Sequence, residues 1–91
     1  MAYVIIPSAL RTFTNHQAQV EVAGKDVGEV LSGLAQRFPE LRRHIFTEQG
    51  KLRNFVNVFV GEEDIRYLQH ETTTVRPTDL VSIVPAVAGG S

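Results

Sequence analysis

Between Val27 and Phe38 the apolar residues Val27, Val30, Leu31, Leu34, Ala35 and Phe38 fall at i, i+3, i+4, i+7, i+8 and i+11. That spacing places them on one face of a helix for about three turns, and it is the strongest periodic signal in the chain. Whatever the rest of the sequence builds must cover that stripe. Asp26 stands at the N-cap position with Glu29 three residues on, a capping-box spacing with Asp in the Ser/Thr place. Pro39 disfavours helical geometry at Phe38 and ends the element. Gly28 and Gly33 each cost on the order of 1 kcal/mol against alanine inside a helix. Such a helix depends on packing against a sheet.

The flanking segments supply one. Tyr3–Ile6 is β-branched and aromatic and stops at Pro7, a short strand, and Thr12–Gln17 reads as a turn around Phe13. Gln17–Ala23 alternates polar Gln17, Gln19 and Glu21 with apolar Ala18, Val20 and Val22, the period of a strand with one buried face. Together these predict a hairpin. After the helix, Pro39–Phe46 reads as a short second helix with Pro39 at its first position, lidding one end of the core, and Thr47–Asn54 as a loop. Phe55–Val60 is a near-continuous β run of the kind buried on both faces as a central strand, where Asn57 needs hydrogen-bond partners. Gly61–Asp64 is a turn, Ile65–Leu68 a short edge strand, and Arg76–Asp79 turns the chain into a last strand, Leu80–Val84. One core is expected from Val4, Ile6, Val20, Val22, Val27, Val30, Leu31, Leu34, Phe38, Val56, Val58 and Ile83.

At 91 residues the chain makes one small domain, with 43% hydrophobic and 21% charged residues, enough for a single core. The division expected is a folded body over residues 1–84 and a flexible tail over 85–91. Nine basic and ten acidic residues leave a net charge of -1, and the basic residues are scattered apart from Arg42-Arg43 and Lys51/Arg53, too few for a nucleic-acid stripe. No apolar run reaches membrane length, so a cytoplasmic protein with no membrane partner is expected. With no cysteine, disulfides, thiolate metal sites and cysteine nucleophiles are absent. His16, His44 and His70 are far apart with no ligand spacing around them, which reads as packing or solvated histidines. Glu62-Glu63-Asp64, three carboxylates in a turn, reads as solvated rather than as a cation site. No metal or cofactor site is expected on this chain.

The chemistry is instead expected at the far end, Pro85-Ala86-Val87-Ala88-Gly89-Gly90-Ser91, which is small and uncharged and follows an apolar strand. Glycine reaches backbone angles closed to other residues and passes a channel too narrow for side chains. Pro85 to Gly90, fully extended, spans about 20 Å. That is the reach needed to deliver a terminal carboxyl group into a partner's active site. A frayed end is the alternative for any terminus.

The order β-β-α-β-β-β, the Phe55–Gly61 run, the Pro77-Thr78-Asp79-Leu80-Val81 turn and the Gly89-Gly90 pair together resemble the ubiquitin-like sulfur carriers, the family of the molybdopterin synthase small subunit and the thiamine sulfur carrier. Phe55-Val56-Asn57 with Glu62-Glu63-Asp64-Ile65-Arg66, and the hexapeptide Pro85–Gly90, are similar to the family's carriers for cysteine synthesis. The resemblance spans essentially the whole chain and implies an α+β, ubiquitin-like β-grasp fold with a mixed sheet on one main helix. It implies a cosubstrate rather than an enzyme. An adenylyltransferase similar to the ubiquitin-activating enzymes spends ATP to make an acyl-adenylate at Gly90, and a sulfur donor displaces AMP to leave a thiocarboxylate. A pyridoxal-phosphate-dependent cysteine synthase then presents an aminoacrylate to that sulfur, and a metalloprotease releases cysteine. Pro85, Ala86, Val87, Ala88 and Gly89 form the partner-binding tail in this reading. Ser91 departs from the family's working form, which ends at the second glycine, so it is expected to be removed by processing.

Two other readings share the activation step or dispense with it. One is a sulfur carrier for molybdopterin or thiamine synthesis. The other is a protein modifier linked through Gly90, or a β-grasp module that only binds partners. Lys25 and Lys51 are the only lysines, which leaves few sites for chains of linked copies and disfavours the modifier.

Overall fold

The computed structural model describes residues 1–85, and Ala86–Ser91 lie outside the described residues. β1 (Ala2–Ile5) and β2 (Gln19–Val22) pair antiparallel with Val4 opposite Val20, as the alternation at 17–23 requires. Their connection is not a bare turn. Ser8–Thr14 coils into a 3-10 helix whose Leu10 and Thr14 are buried, and the reversal itself falls on Asn15 and His16, both at positive φ (54° and 64°). Asn tolerates that left-handed backbone. Here the His16 N–H also donates to the Arg11 carbonyl at 2.7 Å.

α1 (Val27–Arg37) presents the expected stripe, with Val27, Val30, Leu31, Leu34 and Ala35 buried and Phe38 half-buried at its C-cap. The Asp26 carboxylate accepts from the Glu29 N–H at 2.8 Å, and Glu29 Oε1 accepts from Lys25 N–H at 2.9 Å. The capping box therefore closes one residue earlier than the usual form, on the residue before the cap. Gly33 is explained by contact: a Cβ there would come within 2.9 Å of Val22 Cγ1, so only glycine lets α1 lie this close to β2. α2 (Pro39–Ile45) buries Leu41 and Ile45. The 47–54 segment folds back through a Phe46–Leu52 bridge with Gly50 at φ 82°.

β3 (Val56–Val60), β4 (Glu63–Asp64) and β5 (Leu80–Pro85) complete a five-stranded sheet in the order β2-β1-β5-β3-β4. β5 runs parallel to β1 and antiparallel to β3, which makes the last strand the central one. Two expectations are corrected, the first for Phe55–Val60. β3 is flanked on both edges, but only Val56 and Val58 are buried, while Phe55 is 47% exposed and Asn57, Phe59 and Val60 are half-buried. Both helices lie on one face of the sheet, so the other face of every strand is open. Asn57 points to that open face, and among the described residues no buried side-chain nitrogen or oxygen lacks a partner. The second correction concerns Ile65–Leu68. β4 ends at Asp64, whose carboxylate accepts from the Arg66 N–H at 2.9 Å, and Ile65–Tyr67 turns into a 3-10 helix that buries Ile65. An Asx cap here takes the chain off the sheet edge.

The core joins the sheet's inner face to both helices and includes every expected residue except Phe38, which packs against its margin. Ala2, Leu10, Leu41, Ile45, Phe46, Ile65, Val75 and Val81 add to it. A mixed sheet clasping one main helix, entered by a hairpin and left by a central strand, is the β-grasp architecture of ubiquitin-like proteins.

Candidate functional site

Of the tail residues singled out in the sequence, Pro85 is described and the rest are not. Pro85 is the last residue of β5 and pairs with Val56, so the sheet continues one residue beyond the expected body. Ala86, Val87, Ala88, Gly89, Gly90 and Ser91 lie outside the described residues. What the structure fixes is the root of the tail and its surroundings.

The root leaves the middle of the sheet, between β1 on one side and β3 on the other. On the open face around it, Tyr3 and Leu80 are cross-strand neighbours, as are Asn57 and Val84, while Ser82 lies between Ile5 and Phe59. Tyr3, Phe55, Leu80 and Val84 are exposed at 36 to 47%, with Ile5 and Phe59 half-buried beside them. These apolar and aromatic side chains share the open face of the sheet with the last strand, the kind of exposed patch that marks interaction surfaces.

Three arginines bind main-chain carbonyls in segments next to the end of β5. Arg11 Nε donates to the Ile6 carbonyl at 3.1 Å, Arg53 Nε to the Arg43 carbonyl at 2.8 Å, and Arg66 Nη2 to the Asn54 carbonyl at 3.2 Å. Ile6 lies one residue beyond the Ile5–Ser82 pair, and the Val56 N–H donates to Arg53 O, so these groups cluster about the end of β5. Sequence spacing could not find this cluster, because its members come from four separate segments.

The three histidines do not meet. His44 stacks on Phe13 with ring centroids 4.2 Å apart, tying α2 to the 3-10 helix, while His16 and His70 are exposed at positive φ. Glu62 and Glu63 are exposed at the other end of β5, where the Gly61 N–H donates to the Leu80 carbonyl at 2.8 Å. Among the described residues no group of three His, Asp or Glu is placed to hold a metal ion. No helix among them is long and apolar enough to cross a membrane. One carboxylate is shifted: the Arg76 backbone N–H, and more weakly its guanidinium, hold Asp79 below the ordinary carboxylate range against a smaller opposing effect of burial. That bond, at 2.9 Å, closes the turn into β5.

Fold and exit strand together define a ubiquitin-like protein whose C-terminal segment leaves from the sheet's central strand. The ThiS family model matches residues 4–90, which includes the Gly89-Gly90 pair, and the chain belongs to that family. It is 37% identical over 89 residues to the sulfur carrier protein CysO of Mycobacterium tuberculosis, covering 96% of each chain. Its structure is similar to a chain in the crystal structure of the Amycolatopsis orientalis BexX/CysO complex, with a TM-score of 0.88 and 36% identity over 99% of this chain and 100% of that one. It is also similar to the small archaeal modifier protein 1 of Methanosarcina acetivorans, with a TM-score of 0.86 and 26% identity over 98% of this chain and 95% of that one.

Proposed function

We propose that this chain is a sulfur carrier protein and that Gly90 is the residue that bears the sulfur. The observation that carries the reading is the near full-length likeness to a sulfur carrier, in a family match that runs through Gly90. The fold supports it, since β5, the last strand before that segment, is the central strand of the sheet and has an apolar open face.

In this reading the carrier supplies a carboxyl group and a docking body, binds no cofactor and performs no acid–base chemistry. A carboxylate resists nucleophiles, so a ubiquitin-activating-like adenylyltransferase joins the Gly90 carboxylate to the α-phosphate of ATP, with loss of pyrophosphate. A sulfur donor then attacks the acyl carbon, and AMP leaves with its bonding pair. The thiocarboxylate that remains is a nucleophile held at the end of a tether, presented at high effective concentration to an acceptor in a second enzyme. Cysteine synthesis is the pathway favoured, because the relatives compared include a CysO carrier at 37% identity. A pyridoxal-phosphate-dependent cysteine synthase is the acceptor enzyme in that case, with release by a metalloprotease. A modifier role has support in the likeness to the small archaeal modifier protein at 26% identity.

Ser91 places the Gly90 carbonyl in an amide, so hydrolysis of the Gly90–Ser91 bond precedes activation. Intact mass tests both statements. The chain ending at Gly90, given the adenylyltransferase, ATP and a sulfide source, gains the mass by which sulfur exceeds oxygen. The chain that retains Ser91 does not, unless the metalloprotease is added. Sulfur incorporation into a chain still carrying Ser91, or none into the chain ending at Gly90, overturns the assignment.

A further inference from the structure

Three arginines near the root of the tail, Arg11, Arg53 and Arg66, each bind a backbone carbonyl, a neutral acceptor, through one N–H of the fork. A guanidinium has five donors, so most of each fork remains available, and among the described residues none of the three lies within ion-pair distance of a carboxylate. Among the described residues the one ion pair is Arg76–Asp79, at the opposite end of β5. Asp64 and Glu71 line a groove with Arg53 and Arg66, yet Asp64 accepts from a backbone N–H and neither carboxylate pairs with a guanidinium.

The asymmetry extends to the whole chain. Residues 42–53 carry four basic side chains and one acidic one, while Glu62 and Glu63, at the far end of β5, are acidic and exposed. A protein with a net charge of -1 thus carries a group of basic side chains near the last residue of β5. We propose that Arg11, Arg43, Arg53 and Arg66 form a docking collar for a carboxylate-rich rim on the adenylyltransferase that receives the tail. The carbonyl bonds hold three of the forks in place before contact, so less side-chain freedom is lost on docking. Bidentate pairing of arginine with carboxylate then fixes the register in which the tail enters. Complementary charge of this kind acts mainly on the encounter rate and on partner choice.

The collar's assignment rests on the carrier reading only for where the partner sits, so its test has an arm free of sulfur chemistry. A poly-glutamate peptide titrated into the 15N-labelled chain is expected to shift the side-chain Nε–H signals of Arg11, Arg53 and Arg66 and the Arg43 amide, with the shifts lost at high salt. Shifts elsewhere, or none, overturn the proposal whether or not sulfur is ever loaded. Equal or larger shifts with polyphosphate also overturn it, in favour of a phosphate ligand. In the second arm, Arg43→Glu is expected to lower kcat/KM for adenylation of the carrier on the order of tenfold, the lower end of the range for steered encounters, and to flatten its salt dependence. The Arg43 side chain makes no hydrogen bond among the described residues, and an unchanged thermal midpoint for the variant confirms that the fold is intact. Glu63→Lys, at the opposite end, serves as the control and leaves the rate unchanged. A rate insensitive to both salt and Arg43→Glu overturns the collar. Absence of any adenylation of the unmutated chain ending at Gly90 instead counts against the carrier reading and leaves the peptide arm to decide the collar.

Discussion

At Asp79 a single carboxylate closes the turn that launches the central strand. It accepts from the Arg76 N–H at 2.9 Å, while the Asp79 N–H donates back to the Arg76 carbonyl at the same distance. The guanidinium contacts are longer, at 3.4 Å, and the Arg76 side chain is 77% exposed. Such an ion pair contributes little, so the backbone bond is the part of the interaction that matters. Because the folded state lowers the pKa of Asp79, the associated stability is present above the unfolded value and is lost as pH falls through the folded one. Asp79→Asn is therefore expected to lower the thermal midpoint by a constant amount near neutrality. The gap between variant and parent should close as pH falls below about 3.9, the ordinary carboxylate value. A gap that widens on acidification contradicts the assignment.

Among the elements, α1 is where sequence pattern and packing agree most closely. Its capping pair and its apolar stripe are both local features, one set by hydrogen-bond chemistry over four residues and the other by the helical repeat. Leu34 has no exposed surface and lies in the middle of that stripe. Leu34→Ala removes its contacts with the sheet and is expected to cost about 2 to 5 kcal/mol, measured by denaturant unfolding. An unchanged midpoint would mean that another face of the helix meets the sheet. Gly33 was legible only as a weakness of the helix, since its partner Val22 lies eleven residues away on another element. The 3-10 helices at Ser8–Thr14 and Ile65–Tyr67 escaped the sequence for a related reason. Neither has a periodic stripe, and each exists because buried Leu10, Thr14 or Ile65 reaches the core from a short connection.

At the scale of the molecule, the body and the tail have separable duties. The core residues run from Ala2 to Ile83, all within the described part. Deletion of Gly89-Gly90 is accordingly expected to leave the thermal midpoint unchanged while abolishing adenylation and sulfur loading, read by calorimetry and intact mass. A fall in the midpoint on deletion would show that the segment also serves the fold. The sheet order anchors the described end of the chain, because the last strand, through Pro85, occupies the middle of the sheet.

The amino-acid sequence alone determined the main helix and its face, the two strands of the hairpin, nearly all of the core, and the family resemblance carried by the Pro85–Gly90 hexapeptide. These follow from interactions between residues close in the chain, or from motifs contiguous in it. Tertiary structure decided that β5 is central, that β3 is covered on one face only, and that Arg53 and Arg66 bond carbonyls just before the strand that pairs with Pro85. Each of these depends on which strands meet and on which side the helices lie. Strand order and layer placement follow from the lowest free energy of the whole assembled core, and no local window of sequence contains that sum.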